Sequence, residues 1–298
     1  NSVKDFISYA MNLKSMKSII RLVAIIFCVV LVACGRNEKE RIILTSNHPL
    51  KLILQEIAAT RIKVECLVPP SVSPHTFQPK PSDITKIEKS ALFFYTSDLL
   101  DHWISKSIEN KISVFDLLPN SKKLKFEEGT IEDPHFWTDP TAVISIVDTL
   151  ANIIANFDPQ NRNYYLAKAD LLKIKLTQLD RNIDSMLTPI KGKSVFLFHP
   201  SFRYFLLRYG LKYGRSVEEI PGAEPTPNYL SELIKRIRES GAKAIFSEPQ
   251  LNPSSAKVLA ETANVKVYEI DPLGSKHGID SFDKLLLYNT EIFLKALQ

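Results

Sequence analysis

Cysteine, histidine and glycine are scarce in this chain, with 3, 6 and 9 residues among 298. Cys28 and Cys34 lie in or just after an N-terminal apolar run, so only Cys66 remains beyond it and no disulfide framework can form. Ile62, Val64, Cys66 and Val68 alternate with Lys63 and Glu65. That pattern puts Cys66 on the buried face of a half-covered strand, as an inert thiol with no metal role. Charge of one sign is also lacking. The formal +5 is mostly Lys4, Lys14, Lys17 and Arg21 against Asp5, and the remainder is nearly neutral. Its lysines are dispersed, which excludes a nucleic-acid partner. There is no H-E-x-x-H, no fixed-period repeat and no low-complexity segment. The apolar run itself, Leu22 to Ala33, stops at 12 residues, short of the roughly 20 that a membrane-spanning helix needs.

That run is still informative. Met11 or Met16 can start translation, and Lys17 and Arg21 supply a positive region ahead of it. It ends in Leu31-Val32-Ala33-Cys34, which resembles the bacterial lipoprotein box, where cleavage leaves the cysteine as the lipidated first residue. The resemblance implies a signal peptide over 1–33 and lipidation at Cys34. The bland alternatives are an ordinary signal peptide, or a buried strand with an incidental cysteine. One acyl chain binds membranes marginally and several anchor stably. The expectation is an exported, tethered soluble protein without a transmembrane helix, on the periplasmic or extracytoplasmic face of a bacterial membrane.

From Asp158 to Leu187 the spacing predicts one long helix. Tyr165, Ala169, Leu172, Leu176, Leu179, Ile183 and Met186 recur in steps of four and three, keeping one face apolar. Asp158 suits the N-cap and Pro159 the first turn, while Pro189 and Gly192 stop the helix. About 30 residues would reach roughly 45 Å, more than one small lobe. Because caps are present and Arg162, Lys168, Lys175 and Arg181 charge the other face, a packed strut fits better than a coiled coil. Strands and helices alternate on both sides of it, which predicts parallel sheets covered on both faces. The expected fold is therefore α/β, with an N-terminal lobe over 34–157, a linking helix over 158–191 and a C-terminal lobe over 192–298. Short strands are expected at Ala91 to Tyr95 and Ser113 to Leu117, with a helix between them from Leu99 to Lys106.

In open parallel sheets ligands bind outside the carboxyl ends of strands. His75 follows the second strand, His135 precedes a helix after the fourth, His199 ends the first strand of the second lobe and Asp271 its last. Three imidazoles and a carboxylate form an N/O set suited to zinc. Taken singly, each histidine is more ordinary as a core or surface residue. His48, after the first strand, is a reserve ligand, and Glu248, at a strand end, is either an outer carboxylate orienting an imidazole or simply solvated. His102 and His277 read as exposed.

The segments Ser73-Pro-His-Thr-Phe-Gln-Pro-Lys-Pro-Ser-Asp83, Asp133-Pro-His-Phe-Trp-Thr-Asp-Pro140, Phe198-His-Pro-Ser-Phe-Arg-Tyr-Phe205 and Tyr268-Glu-Ile-Asp-Pro-Leu-Gly274 follow in that order. With Gly222-Ala-Glu-Pro-Thr-Pro227 and Phe246-Ser-Glu-Pro-Gln250, the chain from about Ile42 onward resembles the zinc- and manganese-class solute receptors of bacterial ABC importers. Carried over by position, the metal ligands would be His75, His135, His199 and Asp271. The resemblance implies a monomer that captures Zn2+, with Mn2+ as the alternative, and delivers it to the transmembrane subunit of an ABC permease. Many zinc members carry a His/Asp-rich loop before the second ligand, but Ser121 to Asp133 holds no histidine, so scavenging by such a loop is not expected. Manganese members often have Glu where His199 stands, so His199 and the Asp-Pro-Leu-Gly end lean towards zinc. Donor affinities favour zinc whatever the cargo, which keeps manganese open. Ser97 replaces the family's usual glycine ahead of Asp101-His102-Trp103, which bears on local loop shape.

Two rivals belong to other classes. A zinc hydrolase keeps three protein ligands and an open water position, whereas the four donors implied here would close the sphere, so no enzyme is expected. A surface adhesin is the other, since lipid-anchored members of this class have also been described that way.

Overall fold

A computed structural model describes residues 40–104, 108, 111–126, 131–219, 225–252 and 254–298. Residues 40–298 form one compact unit. The expected signal peptide over 1–33 and the expected lipidation site Cys34 lie outside the described residues.

The strands of the first lobe are β1 (Glu40–Thr45), β2 (Lys63–Cys66), β3 (Ser90–Tyr95) and β4 (Lys111–Ser113), all parallel, in the order β2-β1-β3-β4. Those of the second are β5 (Ser194–Leu197), β6 (Lys212–Ser216), β7 (Ala244–Ser247) and β8 (Lys266–Glu269), with the matching order β6-β5-β7-β8. In both, strand order reverses beside the first strand, which opens a crevice outside the carboxyl ends of the two central strands.

Helices α1 (His48–Ala58), α2 (Pro81–Lys89) and α3 (Pro140–Phe157) belong to the first lobe. By length and composition α3 could cross a membrane, but nine of its residues are buried in the protein core. The strut α4 (Arg162–Leu187) follows a 3-10 turn at Pro159–Asn161. It packs against α1 and α3 of the first lobe and against the last helix, α8 (Phe282–Leu297). Its buried stripe is the expected one with two exceptions: Asp180 is buried within it, and at the end Leu187 is buried while Met186 is only partly covered. Asp158 does not cap with its side chain. It accepts instead from Tyr165 Oη at 2.6 Å and pairs with Arg41 at 2.8 Å. The same apolar cluster takes in Ile43 and Phe94 of the first sheet, Leu176 of the strut and Leu197 and Phe246 of the second sheet. One core thus runs through both lobes.

The remaining helices are α5 (Arg203–Arg208), α6 (Pro227–Ser240) and α7 (Ser254–Ala263). Two local expectations fail. Ser113 to Leu117 is the end of β4 followed by a 3-10 turn at Phe115–Leu117. Val114 already has helical backbone angles, and it and Phe115 bury into the core beneath the sheet edge instead of extending it. No helix starts at Leu99 among the described residues, because Asp101 turns back to accept from Thr96 N at 2.7 Å and Ser46 Oγ at 3.0 Å.

Candidate metal centre

Each of three histidines is placed by a different local device. Ser73-Pro-His-Thr76 is a β-turn closed by Thr76 N donating to Ser73 O at 3.2 Å. Pro74 fits its second position and sets His75 third. His135 precedes a 3-10 turn at Phe136–Thr138. There Asp133 Oδ1 accepts from both His135 N at 3.0 Å and His135 Nδ1 at 2.8 Å. His199 lies two residues beyond the end of β5 and is held by Ser201 N donating to its carbonyl at 2.8 Å.

These three side chains converge. His135 Nε2 lies 3.3 Å from His75 Nε2 and 3.2 Å from His199 Nε2. The donor atoms of all three fall within 4.8 Å of one another. Two nitrogens bound to one tetrahedral zinc at about 2.0–2.1 Å stand about 3.3–3.4 Å apart, so the observed spacing is that of donors around a shared ion. Ionised Asp133 can only accept, so the proton of His135 sits on Nδ1 and the Nε2 lone pair faces the cluster. Arg203 Nη1, at 3.2 Å from Asp133 Oδ2, fixes the carboxylate in turn.

The electrostatics favour bare nitrogens. Burial lowers the pKa of His75 from 6.5 to about 3, with His135 and His102 adding to the effect. His199 is also held well below its ordinary value, chiefly by burial and then by His135 and His75, while the Glu218 backbone opposes. Burial raises the pKa of Glu248 to about 8, against the pull of the Ser201 hydroxyl, and Asp271 adds to the rise.

Asp271 is fully buried, and the structure does not bring it into the histidine cluster. Its Oδ1 accepts from Gln250 Nε2, Leu273 N and Gly274 N, and its Oδ2 from Ser275 N, Ser275 Oγ and Lys276 N, at 2.6–3.2 Å. It knots its own turn. Gly274, at φ +71, completes that turn, and a Cβ there would meet His48 Nδ1 at 3.2 Å. His48 stands apart from the cluster too, with Nδ1 donating to Leu273 O at 3.0 Å. His102 and His277 are exposed. Cys66 is half-buried and donates to Val68 O at 3.0 Å, with burial pushing its thiol up to about 12.

Glu248 and Gln250 line the same small cavity as the three imidazoles, about 20 Å³, together with Ser201, Trp137 and Leu273. Asp133 and Gln250 were missed by reading the sequence. The Asp-x-His spacing was a usable signal for the first, and the second closes the segment Phe246-Ser-Glu-Pro-Gln250 without a role having been assigned to it.

A two-lobed α/β receptor, with imidazoles from both lobes gathered at the mouth of its sheets, is the class that this fold and geometry define. The family model for the zinc-uptake complex component A, periplasmic (ZnuA), matches residues 43–296, and the chain belongs to that family. The family is one of transport receptors and not of enzymes. The chain is 26% identical to the high-affinity zinc uptake system protein ZnuA of Yersinia pestis, over 86% of this chain and 91% of that one. It is equally, at 26%, similar to the manganese-binding lipoprotein MntA of Halalkalibacterium halodurans, over 86% and 88%. Among solved structures it is similar to the laminin-binding protein Lmb of Streptococcus agalactiae, at 27% identity and a TM-score of 0.76. That match covers 87% of this chain and all of the other.

Proposed function

We propose that this chain is the extracytoplasmic receptor of a divalent-metal ABC importer, that zinc is its cargo, and that His75, His135 and His199 bind the ion. The observation that carries the reading is the pair of Nε2 separations, 3.3 and 3.2 Å, around a histidine whose other nitrogen is tied to Asp133. An all-imidazole set suits zinc better than manganese, which takes oxygen donors more readily. Neutral imidazoles are the binding form, and burial already holds His75 and His199 in that form. Lipidation at Cys34 after removal of 1–33 would tether lobes spanning 34–157 and 192–298 through the helix 158–191, next to the permease that takes the ion. Asp271 was the expected fourth ligand. Its six hydrogen bonds within and beside its own turn argue for a structural role. Native mass spectrometry of protein purified without added metal is the test, beside a His75→Ala control. One zinc per chain, lost in the variant, supports the reading; no metal in either, even after zinc is added, refutes it.

A second reading rests on Lmb, which is described as bifunctional, with adhesin and metal transporting activity. Binding of laminin by the metal-free protein would support it for this chain.

A further inference from the structure

The segment that carries His199 also reaches another histidine across the crevice. His199 follows β5, and four residues later Arg203 opens α5. Arg203 Nη1 donates to Asp133 Oδ2 at 3.2 Å, and Asp133 Oδ1 accepts from His135 Nδ1 at 2.8 Å. Two charge-assisted contacts thus run from the second lobe, through a carboxylate of the first, to the middle histidine of the cluster. The Nε2 of His135 lies within hydrogen-bond distance of both other imidazoles, at 3.3 and 3.2 Å, so the direction of its ring sets the spacing of the group.

Arg203 is itself firmly held. Its Nη2 donates to Lys125 O at 2.9 Å. Its guanidinium lies 5.0 Å over the Phe126 ring and 5.3 Å over the Tyr213 ring, both within cation–π range. The next residue, Tyr204, accepts from Leu124 N at 2.8 Å and donates its hydroxyl proton to Asp133 O at 3.1 Å. Leu124, Lys125 and Phe126 pair with Asp133, Glu132 and Ile131 in a short antiparallel stem, so the start of α5 grips both strands of that stem. The side chain of Asp133 is wholly buried and that of Arg203 only 13% exposed. A carboxylate so placed needs a counter-charge, and the rings and the Lys125 carbonyl aim one at it.

We propose that Arg203 is a positioning residue for ion binding, which sets the hold on the ion from the second lobe by pinning Asp133 and, through it, His135. This rests on the three-histidine reading above. Because His199 sits on the same short segment, a displacement of α5 shifts one histidine and slackens the hold on another at once. The fork matters more than the charge. A guanidinium offers two nitrogens in one plane, here one for Asp133 and one for Lys125 O, whereas an ammonium is a single donor point. The positive charge by itself repels a dication, so a variant that keeps the charge and loses the fork isolates the positioning.

The test compares wild type, Arg203→Lys, Asp133→Asn, the double variant and His75→Ala. Chelator competition gives zinc affinity, the visible absorption of the Co2+-loaded forms reports geometry at the ion, and melting temperatures of the metal-free forms report stability. Arg203→Lys is expected to keep one zinc per chain, to bind it about tenfold more weakly and to shift the Co2+ bands. In the Asp133→Asn background the same change is expected to cost less than about twofold, because Arg203 acts through that carboxylate. Losses that add in the double variant overturn the proposal. So do wild-type zinc affinity and an unmoved Co2+ spectrum in Arg203→Lys, whatever its melting temperature. Should Arg203→Lys not fold, Phe126→Leu takes one ring from the guanidinium, with an expected loss of about 2–5-fold and wild-type affinity as the refuting result. Undiminished zinc binding by His75→Ala would instead sink the three-histidine reading, a result separable from the others.

Discussion

Asp133 holds His135 by two atoms at once, accepting from its backbone N at 3.0 Å and its Nδ1 at 2.8 Å with a single carboxylate oxygen. The pairing fixes ring direction and tautomer together, and both residues are buried, so no water competes for the bond. Asp133→Asn keeps the shape and removes the charge. Zinc affinity is expected to fall about 10–100-fold, as for other carboxylates behind ligating histidines. Chelator competition measures it, and an unchanged constant would mean that Asp133 does not orient the ring.

Acid should weaken the metal-free protein through the same imidazoles. In the fold His75 titrates near about 3, and His199 is also depressed; unfolded, both return to about 6.5. Below that value the unfolded chain takes up protons that the folded chain refuses, so stability declines as pH falls from about 6.5 towards 3. Asp101 and Glu248, raised by burial to about 7 and about 8, contribute with the opposite sign. Their effect is lost as pH rises towards those values. His75→Gln isolates the imidazole. Between pH 7.5 and 5, urea unfolding should show the variant losing about 1–2 kcal/mol less than wild type. Identical losses would show that His75 is not held neutral by the fold.

The strut carries a carboxylate on its buried side. Asp180 accepts from Arg208 Nε at 2.8 Å and from Tyr209 Oη at 3.2 Å, tying α4 to the end of α5. Arg208 is partly exposed, which lowers the cost of breaking the pair below that of a fully buried one. Asp180→Ala is expected to cost about 1–3 kcal/mol, since the Tyr209 hydroxyl loses its acceptor in a buried setting. Chemical denaturation of the metal-free protein reads this. A loss within a few tenths would mean that the strut is held by its apolar face alone.

Periodicity and punctuation carried most of the architecture. The helix Pro227–Ser240 starts and stops at punctuation visible in the sequence. Thr226 accepts from Tyr229 N at 3.3 Å at one end, and Gly241 takes a left-handed conformation at φ +65 at the other. The histidines were legible because strand ends in parallel sheets face a common crevice. The orientation of Asp271 was not, because a strand-end aspartate can face the crevice or bond its own turn, and only the positions of Leu273, Gly274 and Ser275 N–H decide. Asp180 was hidden by its own polarity, since a stripe read from apolar residues passes over a paired acid. Val114 and Phe115 suit a strand by type, and only packing beneath β4 turned them into a 3-10 segment.

Ion capture should involve little movement of the lobes, because the first already grips the second. Trp137 Nε1 donates to Pro272 O at 2.9 Å and His48 Nδ1 to Leu273 O at 3.0 Å, so two side chains of the first lobe clasp consecutive carbonyls of the Asp271 turn. Lys175 on the strut adds a bridge from Glu56 at 2.9 Å to Asp283 at 2.8 Å. All of these contacts are between protein groups and need no metal. Solution scattering of metal-free and zinc-loaded protein should therefore give radii of gyration that differ by less than the about 1–2 Å of interface helix shifts. Trp137→Phe leaves the Pro272 carbonyl without its donor, at a cost of about 1–3 kcal/mol. That variant should scatter as a wider particle without zinc and return to the wild-type radius with it. A large contraction of the wild type on loading would show that the clasp does not hold the metal-free lobes together.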